Sequence, residues 1–224
     1  KVPLQSHCGV AGGGELEPVH SCPSCFGDSF SHFAVWDGLA IVRCTACGLI
    51  FSNPRIPQSR TRRFFEEDYL QDQCVIENNM TKHRLAPLKR MARLVRDFRP
   101  EGGRLLDIGA ASGLFVSYFV NDPKWAPEGI EPSRNAARHA SAKYGVPIHC
   151  GFAGTLNLDE NAYDAVTVLD TFFLDPEPNT TMQAIKRILK PEGLVFFYIS
   201  WLNFSLLKNT CLVARILYGN SPQL

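Results

Sequence analysis

The chain lacks a charge of one sign. Its 224 residues carry 23 Lys and Arg against 22 Asp and Glu, for a formal net charge of +1, with no long block of either sign. A dedicated nucleic-acid binder needs a basic footprint to neutralise phosphates, so nucleic acid is not expected as a partner. The local exception is Arg84, Lys89, Arg90, Arg93, Arg96 and Arg99. They alternate with Leu85, Leu88, Met91, Leu94, Val95 and Phe98, which makes them the solvated face of an amphipathic helix. Membrane-length apolar runs are also missing. The most hydrophobic stretch, Leu194 to Leu207, is broken by Ser200, Asn203 and Ser205 and falls short of the ~20 residues that span a bilayer. No secretory signal is read, so a cytoplasmic location without membrane association is expected. Finally, there is no G-x-G-x-x-G, the spacing that sets a dinucleotide pyrophosphate against bare backbone at a helix N-terminus.

A different glycine pattern is present. Arg104-Leu105-Leu106-Asp107-Ile108-Gly109-Ala110-Ala111-Ser112-Gly113 is an apolar run ending in an acid, then a glycine-spaced turn into an amphipathic segment. Gly129-Ile130-Glu131-Pro132 repeats the apolar run and the acid one βα unit later. A carboxylate at the tip of the second strand is placed to accept both hydroxyls of a ribose. Ala111 stands where a dinucleotide site has its middle glycine. Asp107 precedes the first glycine, where it would repel a pyrophosphate but attract an ammonium or sulfonium. S-adenosylmethionine has both cations and no phosphate.

These residues resemble the first motifs of class I S-adenosylmethionine-dependent methyltransferases. The resemblance implies that the loop lies under the methionyl part and the second acid holds the ribose. By position it assigns the cofactor to Asp107, Gly109, Ala111, Gly113, Glu131, Pro132 and Leu169, with Phe152 and Ala153 at the adenine. The order of elements agrees. Ser133 is a candidate N-cap for a helix ending near Gly145. Val146 to Cys150 reads as a strand with its proline at the start, and Tyr163 to Asp170 as a buried parallel strand. Met182, Ile185, Ile188 and Leu189 are spaced for a helix stopped by Lys190-Pro191-Glu192-Gly193. Leu194 to Ser200 reads as a further strand, and Phe204 to Leu217 as a helix. The fold expected is α/β, a doubly wound, mostly parallel Rossmann-like sheet. Relatives of this shape often carry Glu-His after the fourth strand. Here the run is Asp170-Thr171-Phe172-Phe173-Leu174-Asp175-Pro176, without a histidine base, which leaves Asp170 as the candidate catalytic residue. Phe172 and Phe173 either wall an acceptor pocket or belong to the core.

Upstream, Cys22-Pro23-Ser24-Cys25 and Cys44-Thr45-Ala46-Cys47 form two C-x-x-C pairs. Two turns that each present two thiolates describe a four-cysteine zinc ribbon, with Cys22, Cys25, Cys44 and Cys47 as Zn2+ ligands. Gly27 and Gly48 follow the pairs, where such a turn often needs positive φ. Phe30 to Val42 can form a hairpin arm. A disulfide pair would fit a secreted protein, and a redox site would not need two matched pairs. The other cysteines, Cys8, Cys74, Cys150 and Cys211, show no ligand spacing and are expected to be free buried thiols.

The organisation expected is an N-terminal tail over 1–18, the zinc ribbon over 19–54, a linker or lid over 55–79, and the cofactor-binding domain over 80–224. The lid includes Tyr69, in Phe64-Phe65-Glu66-Glu67-Asp68-Tyr69. A ribbon of this size buries too little apolar surface to fold without its metal. The family normally ends with two more strands, the last antiparallel. A chain lacking both would leave a sheet edge exposed, so a missing C-terminal part is expected. The ribbon leading through Cys44-x-x-Cys47-Gly48-Leu49-Ile50-Phe51-x-Asn53-Pro54 into the linker resembles a bacterial family that includes sugar C-methyltransferases. The expected activity is methyl transfer to a small-molecule or sugar acceptor. The alternatives are an rRNA or tRNA methyltransferase and a non-catalytic binding protein.

Overall fold

A computed structural model describes residues 15–36, 38–69, 82–199 and 211–215, by backbone alone at 36, 82–84 and 211–215. The chain divides into two compact units, the first ending at Phe64 and the second beginning at Phe65. The segment read as a linker over 55–79 thus contributes to both units.

In the first unit, β1 (Phe30–Trp36), β2 (Leu39–Cys44) and β3 (Ile50–Ser52) form an antiparallel sheet in that order. The β1–β2 hairpin is the arm expected from the alternation. Glu17 and Arg55 bridge by paired backbone hydrogen bonds of 2.9 Å and a 2.8 Å ion pair. Asn53 both donates to and accepts from the Val19 backbone at 2.9 Å. A short helix, α1 (Gln58–Arg63), follows. Among the described residues of this unit, the buried apolar side chains are Val19, Cys22 and Cys44. Two of these three are thiols, so the unit has almost no oily core to fold around.

The second unit is a six-stranded sheet. Its strands are β4 (Gly103–Ile108), β5 (Trp125–Glu131), β6 (Ile148–Cys150), β7 (Tyr163–Leu169), β8 (Leu189–Tyr198) and β9 (Cys211–Arg215). The order is β6-β5-β4-β7-β8-β9, with β9 alone antiparallel. Helices α2 (Lys82–Phe98), α3 (Leu114–Ser117), α4 (Arg134–Tyr144) and α5 (Pro178–Ile188) complete it. Side-chain alternation along the strands produces two cores. Leu106, Ile108, Val166, Val168 and Val195 pack with Ile185 and Ile188 of α5. Leu105, Ala165, Leu169 and Phe196 pack with Met91, Ala92 and Val95 of α2 and with Phe115 and Phe119. Helices therefore cover both faces, as a parallel sheet requires.

Two expectations need correction. The segment read as a helix over Phe204 to Leu217 contains β9, which pairs with β8 from Leu194↔Arg215 to Tyr198↔Cys211; residues 204–210 and 216–217 lie outside the described residues. Apolar Leu212 and Val213 fit either period, and pairing with an open sheet edge decides for the strand. The edge of β8 is therefore covered. Also, β8 begins at Leu189, directly after α5, and not at Leu194. Register jumps from Tyr163↔Leu189 to Ala165↔Leu194, so Lys190 to Gly193 bulge out of the ladder. Pro191 has no N–H for that ladder, and Lys190 reaches Asp164 at 2.8 Å.

Candidate functional site

The four cysteines of the two C-x-x-C pairs converge. Their Sγ atoms all lie within 4.8 Å of one another, with Cys22–Cys47 at 3.5 Å and Cys25–Cys44 at 3.6 Å. Thiolates ~2.3 Å from a tetrahedral zinc stand about 3.8 Å apart, so the donor set fits that ion. Two equivalent turns build it. Cys22 N donates to Gly27 O at 2.7 Å and Phe26 N to Cys22 O at 3.0 Å; Cys44 N donates to Leu49 O at 2.8 Å and Gly48 N to Cys44 O at 2.9 Å. The left-handed position of each turn is therefore the fourth residue after the first cysteine. That residue is Gly48 (φ 79°) in one turn and Phe26 (φ 64°) in the other, not Gly27 as the sequence suggested. At Gly27 a Cβ would make ordinary contacts, 3.5 Å from the Cys25 sulfur and 3.4 Å from Ala46, so neither space nor backbone requires glycine there. The backbone N–H of Cys47 draws the Cys44 thiol down to about 7. At Cys25 the Gly27 N–H acts in the same sense, but the neighbouring thiols and burial outweigh it and push that thiol up to about 12. Cys150 shows no ligand partner and is exposed, against the expectation of a buried thiol. Cys8 and Cys74 lie outside the described residues, and the side chain of Cys211 does also.

The second site forms at the carboxyl ends of β4, β5 and β7, where open α/β sheets bind their ligands. Asp107 is the penultimate residue of β4 and 3% exposed; Glu131 ends β5 and is 2% exposed. Between them the loop takes left-handed backbone at alternate residues, Gly109 (φ 80°), Ala111 (φ 46°) and Gly113 (φ 75°). Ala111 adopts unaided what the middle glycine of a dinucleotide loop would, and its N–H donates to Glu131 Oε2 at 2.8 Å. Glu131 Oε1 accepts from Ser133 N at 2.9 Å, while the Ser133 side chain caps α4 by accepting from Ala136 N at 3.4 Å. A carboxylate offers about four acceptor positions, so two remain on Glu131 for a ligand diol. Burial pushes both acids up to about 7. At Asp107 the Thr167 hydroxyl opposes that rise, and the charge of Glu131 adds to it.

Other residues singled out in the sequence are distributed as follows. Tyr69 and Ala111 of the loop both pack against Ala136 of α4, and Tyr69 meets Phe65 edge to face at 5.2 Å. Asp170 ends the β7 tip in left-handed backbone (φ 61°), its N–H donated to Tyr198 O at 2.7 Å. A non-glycine residue held there is a stored strain of the kind that concentrates at functional positions. Its charge raises the proton affinity of the Tyr198 phenol, after burial and against Arg90. Thr171 closes against Gly109, where a Cβ would come within 2.5 Å of its methyl, and donates to Ile108 O at 3.2 Å. Phe172 is core, stacked edge to face on Phe197 at 5.3 Å, whereas Phe173 is exposed. Ala153 and Leu169 are buried in the two cores, so what they can offer a ligand is backbone. Phe152 is half-buried, and so is Pro132, directly after Glu131.

Sequence reasoning missed Thr167. It is fully buried and donates to Asp107 Oδ1 at 2.7 Å across the β4–β7 ladder. The available signal was one hydroxyl inside Ala165-Val166-Thr167-Val168, a run otherwise built for an apolar core. Also missed was the cluster around Glu128, which accepts from Arg104 at 2.8 Å, Tyr163 at 2.9 Å and faces His149 Nε2 at 3.1 Å.

Residues 106–197, from β4 to the end of β8, match the family described as Methyltransferase domain. Over these residues the second unit is similar to a methyltransferase domain. A 121-residue part of the chain is 29% identical to the ubiquinone biosynthesis O-methyltransferase of Photorhabdus laumondii, covering 51% of this chain and 50% of that protein. The chain thus spans about half the length of the curated relative it matches. Among solved structures, a protein of Methanococcus maripaludis assigned as an S-adenosylmethionine-dependent methyltransferase superposes with a TM-score of 0.51. It is 20% identical and the likeness covers 59% of this chain and 65% of that one, which is a likeness of fold. The second unit carries the doubly wound sheet expected from the sequence, and among the described residues no helix is long and apolar enough to cross a membrane.

Proposed function

We propose that the protein transfers a methyl group from S-adenosylmethionine to a small-molecule or sugar-type acceptor. The observation that carries this reading is the pair Asp107 and Glu131, two buried acids on adjacent strand tips flanking a loop of alternating left-handed residues. In this reading Glu131 keeps its two backbone amides and takes the ribose diol on its remaining lone pairs. Asp107 faces the cationic methionyl end, and Gly109, Ala111 and Gly113 let backbone approach it. Tyr69, packed against the same Ala136 as the loop's Ala111, covers the ligand. Pro132, Phe152, Ala153 and Leu169 line the nucleoside end. Asp170 takes the acceptor's proton at the β7 tip. The acceptor's electron pair forms the new bond to the methyl carbon as the carbon–sulfur bond breaks, leaving S-adenosylhomocysteine. Positioning and water exclusion supply much of such a rate.

The four cysteines hold one zinc ion in the first unit, where it supplies the folding energy that Val19 alone does not. The protein works in the cytoplasm and needs neither membrane nor nucleic acid.

Calorimetric titration tests the reading directly. S-adenosylmethionine should bind with 1:1 stoichiometry and NAD should give no heat; an NAD isotherm, or silence with both, would refute it. Asp107→Ala or Glu131→Ala should weaken binding by about 1–3 kcal/mol, the cost of a lost hydrogen bond to a charged group. Metal analysis of the purified chain should give one zinc per chain.

A further inference from the structure

We propose that Thr167 is a positioning residue for cofactor binding, its hydroxyl fixing the Asp107 carboxylate at the strand tip for the cationic end of the ligand. The inference rests on the S-adenosylmethionine reading and goes beyond it, since no motif assigns Thr167 a role.

Three observations carry it. First, Thr167 is completely buried in β7 among Ala165, Val166 and Val168. Valine has the same shape and suits such a strand better, so packing alone does not account for the hydroxyl. Second, the hydroxyl has one proton and two oxygens near it. Leu106 O is at 3.4 Å and Asp107 Oδ1 at 2.7 Å. Only the shorter distance is that of an O–H···O bond, and a charged acceptor strengthens it further, so the proton goes to Asp107. Third, the ladder aligns Asp107 with Thr167, and the branched side chain of threonine is stiff at χ1. The donor is therefore preorganised, and Asp107 is held in one orientation before any ligand arrives.

The chemical consequence concerns charge. Burial pushes Asp107 towards its neutral form, which would give a sulfonium or ammonium nothing to pair with. The Thr167 hydroxyl bonds to the ionised form and opposes that tendency. The other groups on the surrounding elements do not replace it. Glu131 on β5 and Asp170 at the β7 tip are acids. Arg96 of α2 is engaged by Asp122 at 3.1 Å and the Tyr118 carbonyl at 2.6 Å. α3 (Leu114–Ser117) has no titratable side chain.

The test uses the full, metal-loaded chain and S-adenosylmethionine itself, titrated calorimetrically between pH 6 and 8.5. Thr167→Val should remain folded, because volume and branching are conserved, and should bind about 10- to 100-fold more weakly, the range of a charge-assisted hydrogen bond. Its affinity should reach a plateau at higher pH than that of the wild type. Thr167→Ser, which restores the donor and removes the methyl, should recover most of the affinity and the original pH profile. In an Asp107→Asn background, Thr167→Val should cost little more. Wild-type affinity and pH profile in Thr167→Val would overturn the inference. So would Thr167→Ser binding no better than Thr167→Val, which would assign the loss to packing. Absence of binding by the wild type removes the cofactor reading and this inference together; binding by the wild type with an indifferent Thr167→Val removes the inference alone.

Discussion

The most consequential individual residues are two acids that burial makes reluctant to ionise. Asp107 and Glu131 move from ordinary values of 3.8 and 4.5 to about 7 in the folded chain. Raised values mean that the folded state binds these protons more tightly than the unfolded one. Their contribution to stability is complete below about pH 4 and is lost as pH rises through 7. The ligand-free second unit should therefore melt at lower temperature at pH 8 than at pH 5, as differential scanning calorimetry can measure. A cationic ligand favours the ionised acids, so S-adenosylmethionine affinity should run the other way, rising towards pH 7 and levelling above it. A residue of the opposite kind is Phe26, 72% exposed and left-handed in a turn whose counterpart uses Gly48. Phe26→Gly should raise the melting temperature of the metal-loaded first unit, by about 1 kcal/mol of relieved backbone strain. At this scale the sequence displayed ligand types well and their partners poorly. That Cys22, Cys25, Cys44 and Cys47 come together was legible from the spacing of two paired turns. Which residue of a turn is left-handed was not, since Gly27 looked the better candidate and Phe26 takes the position. Thr167 was invisible for a similar reason. Its partner comes from a strand 60 residues away, and only the register aligns them.

At the scale of elements, the loop between β4 and α3 is where local rules and function coincide. Gly109 needs both its left-handed backbone and its missing side chain, because Thr171 stands where a Cβ would be. Gly109→Ala should destabilise the second unit by about 2 kcal/mol or more, the left-handed penalty plus displacement of Thr171. Chemical denaturation should record it as a lower midpoint, with S-adenosylmethionine binding weakened in parallel. This loop, the Ser133 cap and the Gly145 stop of α4 were legible because each is a local conformational demand met by a specific residue type. The misread elements were those decided by distant neighbours. Leu189 shares the spacing of α5 yet starts β8, since Tyr163 lies beside it to pair with. Residues 211–215 carry an apolar pattern compatible with either structure, and the free edge of β8 makes them a strand.

At the scale of the whole molecule, two units divide the labour. Every residue assigned to the cofactor lies in the second, and every candidate metal ligand lies in the first. Stripping the metal with a chelator under reducing conditions should abolish the thermal transition of the first unit. The S-adenosylmethionine isotherm of the same sample should persist with its affinity changed less than about threefold, as independent sites behave. The cysteine pairs and the glycine loop each follow their own spacing rule, which is why each could be read separately in the sequence.

Glu131 connects these scales. Its two oxygens accept from Ala111 and Ser133, so one side chain fastens both the loop after β4 and the cap of the helix after β5. It is scaffold before it is binding site. A descendant of this chain that no longer bound the proposed ligand would lose two backbone anchors with Glu131, but a single hydroxyl bond from Thr167 with Asp107. Among homologues, erosion of Asp107 beside a retained Glu131 would therefore mark a branch in which the proposed ligand site had lapsed.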